Sequence, residues 1–235
     1  MTQQKTQGIC WRFLKNMNKT AIIVSGGTIE QDFALKQVEQ LNAKIIIGVD
    51  RGLEFLYQNQ IIPTHIVGDV DSVEPEIVEY YRKETEVPIR QFDPVKDASD
   101  TEIAMRLAIE LGVNTLWLLG ATGTRLDHVM ANIQTLKVAH DAGVKAYILD
   151  AHNRISLIEK EFTLRKDEQY GEYFSVFPLG GEVPQFTMKG AKYPLDNHTL
   201  MPYDSLCVSN QIQEKEVKIS FPEGIIILME TRDGE

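Results

Sequence analysis

Between Thr20 and Asp150 short apolar runs alternate with amphipathic stretches, and beyond Asp150 that alternation stops. The runs are Ala21–Val24, Lys44–Val49, Thr64–Val67, Val87–Phe92, Thr115–Leu119 and Lys145–Leu149. Each stretch between them carries apolar residues at helical spacing, as in Ile103, Ala104, Leu107 and Leu111. Such a rhythm builds strand–helix–strand units and a covered, mainly parallel sheet. After Asp150 short β-type runs separated by Gly, Pro, Asn and Asp take over: Arg154–Ile158, Tyr173–Phe177, Ser205–Ser209, Val217–Ser220 and Gly224–Glu230. The expected fold class is therefore α/β: a Rossmann-like sheet with flanking helices, followed by a small all-β sandwich domain. The expected divisions are an extension over 1–19, an α/β domain over 20–150 and a β domain over 151–235.

With 43% hydrophobic residues the 235-residue chain has ample material for a core. A formal charge of −10 argues against non-specific nucleic-acid binding, which needs basic surface to neutralise phosphates. No apolar run reaches the length of a spanning helix, and the N-terminus has no contiguous apolar segment with a cleavage site. Only Cys10 and Cys207 are present, far apart, and they read as free thiols of a reducing compartment. The expected location is cytoplasmic, with no membrane partner.

Chemistry concentrates where the strands end. Gly68-Asp69-Val70-Asp71-Ser72 places two carboxylates two residues apart after a strand. Two readings stand for it: a Mg²⁺ site built from few protein ligands plus substrate phosphates, or a turn with helix-capping acids. Asp50 with Arg51, Lys96-Asp97-Ala98-Ser99-Asp100-Thr101 and Arg125-Leu126-Asp127-His128 fall at or just beyond the same predicted edge. Turn propensity does not require a common edge, whereas a ligand crevice at the carboxyl ends of parallel strands does. Together the four clusters point to a metal and phosphate site.

Each cluster also has a plain structural reading. Asp50 can cap a helix or share a cation with Asp69 and Asp71. Ser99 and Glu102 have capping-box spacing, which leaves Lys96 to neutralise phosphate oxygens and Asp100 to join the acids. The loop Gly120-Ala121-Thr122-Gly123 lets backbone N–H groups approach an anion at a helix N-terminus, and Arg125 offers a bidentate phosphate contact. It lacks the Gly-Lys-Ser/Thr ending of a Walker loop. Asp127 suits the helix dipole; His128 is either a general base or a hydrogen-bonded structural residue. Asn132, one turn on, either faces the same pocket or packs beneath it. Ser25-Gly26-Gly27-Thr28 resembles an element of bacterial asparaginases, but their histidine-glycine-threonine-aspartate-threonine segment has no counterpart. It reads as a first strand–helix turn that touches nucleotide. His65, His140, His152 and His198 show no ligand spacing.

Taken in order, Gly48–Gly52, Gly68–Ser72, Lys96–Glu102, Gly120–His128 and Ser209-Asn210 make the chain similar to bacterial-type thiamine pyrophosphokinases over roughly Ile22 to Met229. Val70 replaces the phenylalanine more usual between the paired aspartates, and Gln211-Ile212-Gln213 carries no aromatic. The resemblance implies transfer of a diphosphoryl group from ATP to the hydroxyl of thiamine, giving thiamine diphosphate and AMP. It also implies Mg²⁺ held by Asp69, Asp71 and Asp100 with Asp50 as an associate. Arg125 and Asp127 would be nucleotide-pocket residues, Ser209 and Asn210 part of a thiamine pocket. The implied assembly is a homodimer with active sites between subunits. Two alternatives are another metal-dependent nucleotide-using transferase and a non-catalytic nucleotide- or thiamine-sensing module.

Overall fold

The computed structural model describes residues 19–68, 72–90 and 98–234. Cys10, Asp69, Asp71, Lys96 and Asp97 lie outside the described residues, as does all of the 1–19 extension but Lys19.

The strands β1 (Thr20–Val24), β2 (Ile45–Val49), β3 (His65–Val67), β4 (Ile89–Arg90), β5 (Thr115–Leu119) and β6 (Lys145–Leu149) form one parallel array. Its spatial order is β4-β3-β2-β1-β5-β6. From β1 the chain steps outward to β4, then returns past β1 to build β5 and β6 on the other side. The helices are α1 (Gln31–Leu41), α2 (Gly52–Gln58), α3 (Pro75–Glu84), α4 (Asp100–Glu110) and α5 (Leu126–Asp141). Residues of α4 and α5 form a core with Ala21 and Ile23 of β1. Those of α1, α2 and α3 form a second core with Ile22 and Val24. Ala21, Ile22, Ile23 and Val24 have no solvent exposure, which is why the strand reads as an unbroken apolar run rather than an alternating one.

The sheet does not end at β6. The chain turns over Asp150–His152 into β7 (Asn153–Ile158), which pairs antiparallel with β6, and the order continues β7-β13-β9 to make nine strands. Here β9 is Tyr173–Pro178 and β13 is Ile226–Thr231. A second sheet, ordered β11-β10-β12-β8, contains β8 (Phe162–Arg165), β10 (Val183–Lys189), β11 (Leu195–Leu200) and β12 (Glu216–Ser220). It closes over Phe174, Val176, Ile226 and Leu228 of the first sheet. The sandwich expected from the sequence is present, but one of its two layers is the far end of the α/β sheet.

Ser205–Ser209 is not a strand. Val208 N–H donates back to the Ser205 carbonyl at 3.2 Å and Ser209 has φ 53°, so the segment is a turn with Leu206 and Val208 exposed. The Cys207 carbonyl accepts the Val176 N–H of β9 at 3.3 Å, but the turn keeps this contact from growing into a ladder. Conversely, β8, β10 and β11 escape the sequence pattern. In β10, Pro184 and a register shift between Val183 and Phe186 break the alternation, and in β11 only Leu200 is buried.

One ionic pair lies inside the extended sheet. Arg154 on β7 and Glu230 on β13 are cross-strand partners. Arg154 Nε and Nη2 donate to Glu230 Oε2 and Oε1, both at 2.7 Å, with the Glu230 side chain only 4% exposed. Glu230 Oε1 also accepts the Tyr170 N–H at 3.0 Å. Arg154→Met leaves this carboxylate buried without its partner, and the expected loss is about 3 kcal/mol. Arg154→Met/Glu230→Leu should recover most of that loss in urea unfolding. A double variant as weak as the single one would show that packing at Arg154, not its charge, matters.

Candidate functional site

The neighbours β1 and β5 are where the chain reverses its direction of travel across the sheet, and crevices at such points receive ligands. Two glycine loops leave these strands and interlock. Ser25 N–H donates to the Leu119 carbonyl, Gly27 N–H to that of Gly120 and Thr28 N–H to that of Thr122, each at 2.8 Å. A Cβ on Gly27 would stand 2.2 Å from the Thr122 oxygen, and one on Gly120, at φ 64°, would stand 2.2 Å from the Ser25 oxygen. Only glycine permits this backbone contact. The amides of Gly27 and Thr28 are thus engaged with the facing loop.

On the other side of β1 lie Asp50, after β2, and Asp100, at the head of α4. Asp50 follows β2 at φ 46°, and a Cβ on Gly68, at φ 133°, would stand 2.5 Å from Asp50 Oδ1. The Asp50 carboxylate therefore lies against the β3 exit, where the chain runs on toward Asp69. It does not occupy the helix cap, since α2 begins after Arg51, and Arg51 pairs with Glu54 at 3.6 Å. Asp100 opens α4. Ser99 Oγ caps that helix by accepting the Glu102 N–H at 3.2 Å, while Glu102 Oε1 accepts from Arg106. The next residue, Thr101, shares a buried hydrogen bond of 3.0 Å with Ser25. That bond fastens the head of α4 to the β1 exit and brings Asp100 to the same edge as Asp50. Among the described residues no three His, Cys, Asp or Glu side chains form a metal cluster.

Beyond β5 lies a cavity of about 520 Å³, bounded by Thr28, Phe33, Gly120, Thr122, Gly123, Leu126, Leu149, Asp150 and Met229 among others. Asn132 packs beneath it: its Nδ2 donates to the Ala121 carbonyl at 2.8 Å and the residue is buried. Arg125, Asp127 and His128 stand exposed at the rim. Arg125 directs its fork at Asp127, with Nη2–Oδ2 at 2.6 Å and Nε–Oδ1 at 3.2 Å, while His128 N–H donates to Asp127 Oδ1 at 3.0 Å. The guanidinium and the His128 amide together hold the Asp127 carboxyl down to about 2. Arg125 can bind phosphate only by sharing or releasing this acid.

Ser209 and Asn210 lie elsewhere. Asn210 forms a bridge with Phe174 at the outer side of β9. Its Oδ1 accepts the N–H groups of Tyr193 and Gln211, at 3.1 and 2.9 Å, and its Nδ2 donates to the Tyr193 carbonyl at 2.9 Å. Ser209 beside it is exposed. Six inter-strand steps separate β2 from β9. At about 4.8 Å each, this puts roughly 29 Å between Asp50 and the Asn210 neighbourhood within one chain. One residue escapes the motif reading, namely Asp150, whose carboxylate accepts from Thr122 Oγ1 at 2.7 Å. An aspartate ending a strand with an asparagine three residues on is its only sequence signal.

Residues 37–148 match the family model described as thiamin pyrophosphokinase, catalytic domain, and residues 159–226 that described as thiamin pyrophosphokinase, vitamin B1 binding domain. The thiamine pyrophosphokinase of Bacillus subtilis is 32% identical over 189 residues, spanning 80% of this chain and 87% of the relative. Thiamine pyrophosphokinase 1 of rice is 27% identical over 73% of this chain and 67% of its own length. The crystal structure of the Bacillus subtilis enzyme superposes with a TM-score of 0.81 at 30% identity, covering 92% of this chain and all of that one. A Candida albicans thiamin pyrophosphokinase, at 18% identity and a TM-score of 0.76, shares the fold.

The Asp127 carboxyl, depressed by the side-chain hydrogen bond from Arg125, keeps the pair intact above its ordinary titration range and loses it only as pH falls through about 2. Arg125→Gln should return the midpoint toward the ordinary carboxylate value. Carbon-detected NMR titration of the side chain reads this directly. An unchanged midpoint in the variant would show that Arg125 does not hold the acid.

Proposed function

The chain belongs to the thiamine pyrophosphokinase family, and we propose that it carries that reaction at the crevice formed by the β1, β2, β3 and β5 exits, with the β-sandwich end of a second copy closing the site. ATP is the co-substrate and thiamine the acceptor. The observation that supports this reading is the meeting at one edge of Asp50, the Gly68 exit, the Asp100 helix head and the interlocked glycine loops. We read the six parallel strands as a Rossmann-like nucleotide-binding unit over residues 20–150. Residues 151–235 form the thiamine-binding and dimerisation unit.

In this reading the nucleoside of ATP occupies the cavity beside Thr122 and Gly123, with its phosphates reaching back across the glycine loops toward the acids. Asp50, Asp69, Asp71 and Asp100 would hold Mg²⁺. Hard carboxylate oxygens suit that ion, and the Asp50 carboxylate already lies against the strand exit that leads into Asp69. When bound, Mg²⁺ neutralises charge on the phosphate oxygens. The thiamine hydroxyl oxygen attacks the β-phosphorus, the bond from β-phosphorus to the bridging oxygen breaks, and AMP leaves with that oxygen. The hydroxyl proton passes to Asp71 or Asp100. Lys96 and Arg125 neutralise phosphate oxygens, Arg125 exchanging part of its contact with Asp127, and His128 and Asn132 hold the rim and floor. Catalysis of this kind is mostly positioning and electrostatics.

The separation of roughly 29 Å between Asp50 and the Asn210 neighbourhood supports the homodimer. Ser209 is the exposed member of the thiamine side, and Asn210 holds the Tyr193 loop beneath it. For a cytoplasmic location the support is the free buried thiol of Cys207, which burial pushes up to about 11. Among the described residues no helix is long and apolar enough to cross a membrane.

Incubation with thiamine, ATP and Mg²⁺ should yield AMP and thiamine diphosphate in equal amounts. ADP in place of AMP would mark another nucleotide-using transferase, and thermal stabilisation by ligands without turnover would mark a sensing module. Asp71→Asn should lower turnover by about 100-fold, the equivalent of about 2.7 kcal/mol of transition-state stabilisation, with the far-UV spectrum unchanged. Near-normal turnover would remove Asp71 from the metal set. Sedimentation should give a dimer; a fully active monomer would overturn the shared site.

A further inference from the structure

The turn from β6 into β7 holds a carboxylate that belongs to none of the acid clusters, yet it touches both halves of the molecule. Asp150 Oδ1 accepts the backbone N–H groups of His152 and Asn153, each at 2.8 Å, and Asn153 Nδ2 at 2.9 Å. Its Oδ2 accepts Asn153 Nδ2 at 3.1 Å and the Thr122 hydroxyl at 2.7 Å. The Asp150 carbonyl accepts a hydrogen bond from the Tyr170 hydroxyl. Thr122, in turn, offers its carbonyl to Thr28. The Tyr170 N–H donates to Glu230, and its ring lies 4.4 Å from the Arg232 guanidinium and 5.6 Å from that of Arg154.

A chain of contacts thus runs from the interlocked glycine loops to the Asp150 carboxylate, and from the Asp150 backbone carbonyl through Tyr170 to the ion pair inside the extended sheet. Asp150 also lines the cavity. We propose that Asp150 is a positioning residue for the nucleotide: it fixes Thr122 and so sets the gap between the glycine-loop wall and the β7 wall of the cavity. It does not touch the reacting atoms. This rests on the assignment of that cavity to the nucleoside of ATP. The reason for a carboxylate here is its acceptor capacity. Asp150 takes five contacts from one hydroxyl and three nitrogens on two oxygens, and an ionised acid offers about four lone-pair sites with no proton to place. An alanine leaves those donors without their acceptor and the loop free to drift. An asparagine keeps the shape and one acceptor oxygen, while Thr122 can rotate its hydroxyl to accept from the new amide.

The test is a double-variant cycle read separately for each substrate. Asp150→Ala and Thr122→Val should each raise the KM for ATP by about tenfold, and the pair together by about tenfold rather than a hundredfold, because both remove the same link. The KM for thiamine should stay constant, and Asp150→Asn should restore much of the loss. Multiplicative effects would overturn the proposal, as would equal rises for both substrates. Calorimetric binding of an ATP analogue with a methylene bridge between the α- and β-phosphates keeps the result separate from turnover. Weaker analogue binding in Thr122→Val and Asp150→Ala supports the proposal even if the wild type forms no AMP, a result that would sink the proposed reaction alone. Unchanged binding in both variants overturns the proposal. Should Asp150→Ala fail to fold, Thr122→Val and Asp150→Asn carry the same comparison.

Discussion

Backbone-to-backbone contact between the β1 and β5 loops is the constraint on which the rest of the site depends. Three hydrogen bonds of 2.8 Å bring the loops close enough that a Cβ on either Gly27 or Gly120 would enter the opposing carbonyl oxygen. That contact is possible because β1 and β5 are neighbours, which in turn requires the chain to cross back over β1 after completing β4. Everything on the edge is then placed relative to this seam. The buried Ser25–Thr101 bond carries the head of α4, with Asp100, to one side, and the Thr122–Asp150 bond ties the cavity to the other.

Sheet continuity decides the division of labour. Because β7, β13 and β9 continue the α/β sheet, the sandwich cannot swing against the parallel strands without breaking the β6–β7 ladder and the turn at Asp150. The Arg154–Glu230 pair sits where that continuation begins, and its bidentate geometry with a further amide from Tyr170 satisfies the buried charge. A rigid joint of this kind keeps the Asn210 region at a constant distance from Asp50. The proposal of a site shared between two copies draws its support from that separation.

The sequence made the six parallel strands legible through their apolar runs and the Ser99 cap through its residue type and spacing. The sandwich was less legible. Pro184 and the bulge in β10 hide its alternation, β11 is mostly polar, and the apolar residues at Ser205–Ser209 mimic a strand although the backbone there closes into a turn beside β9. Asp150 read as a boundary residue, because its importance lies in contacts with Thr122 and Tyr170, 28 and 20 positions away.

What the sequence determined by itself was the type of each element in the first half and the residue chemistry at its ends, since periodicity, caps and glycines act within a few residues. Which strand stands beside which was decided only by the tertiary structure, together with everything that depends on it. The interlocking of the Gly27 and Gly120 loops follows from the pairing of β1 with β5. The fork of Arg125 is taken up by Asp127 rather than held open. Asn210 is committed to its own loop far from the acids. Those outcomes rest on contacts between segments distant in sequence, and local propensity carries no record of them.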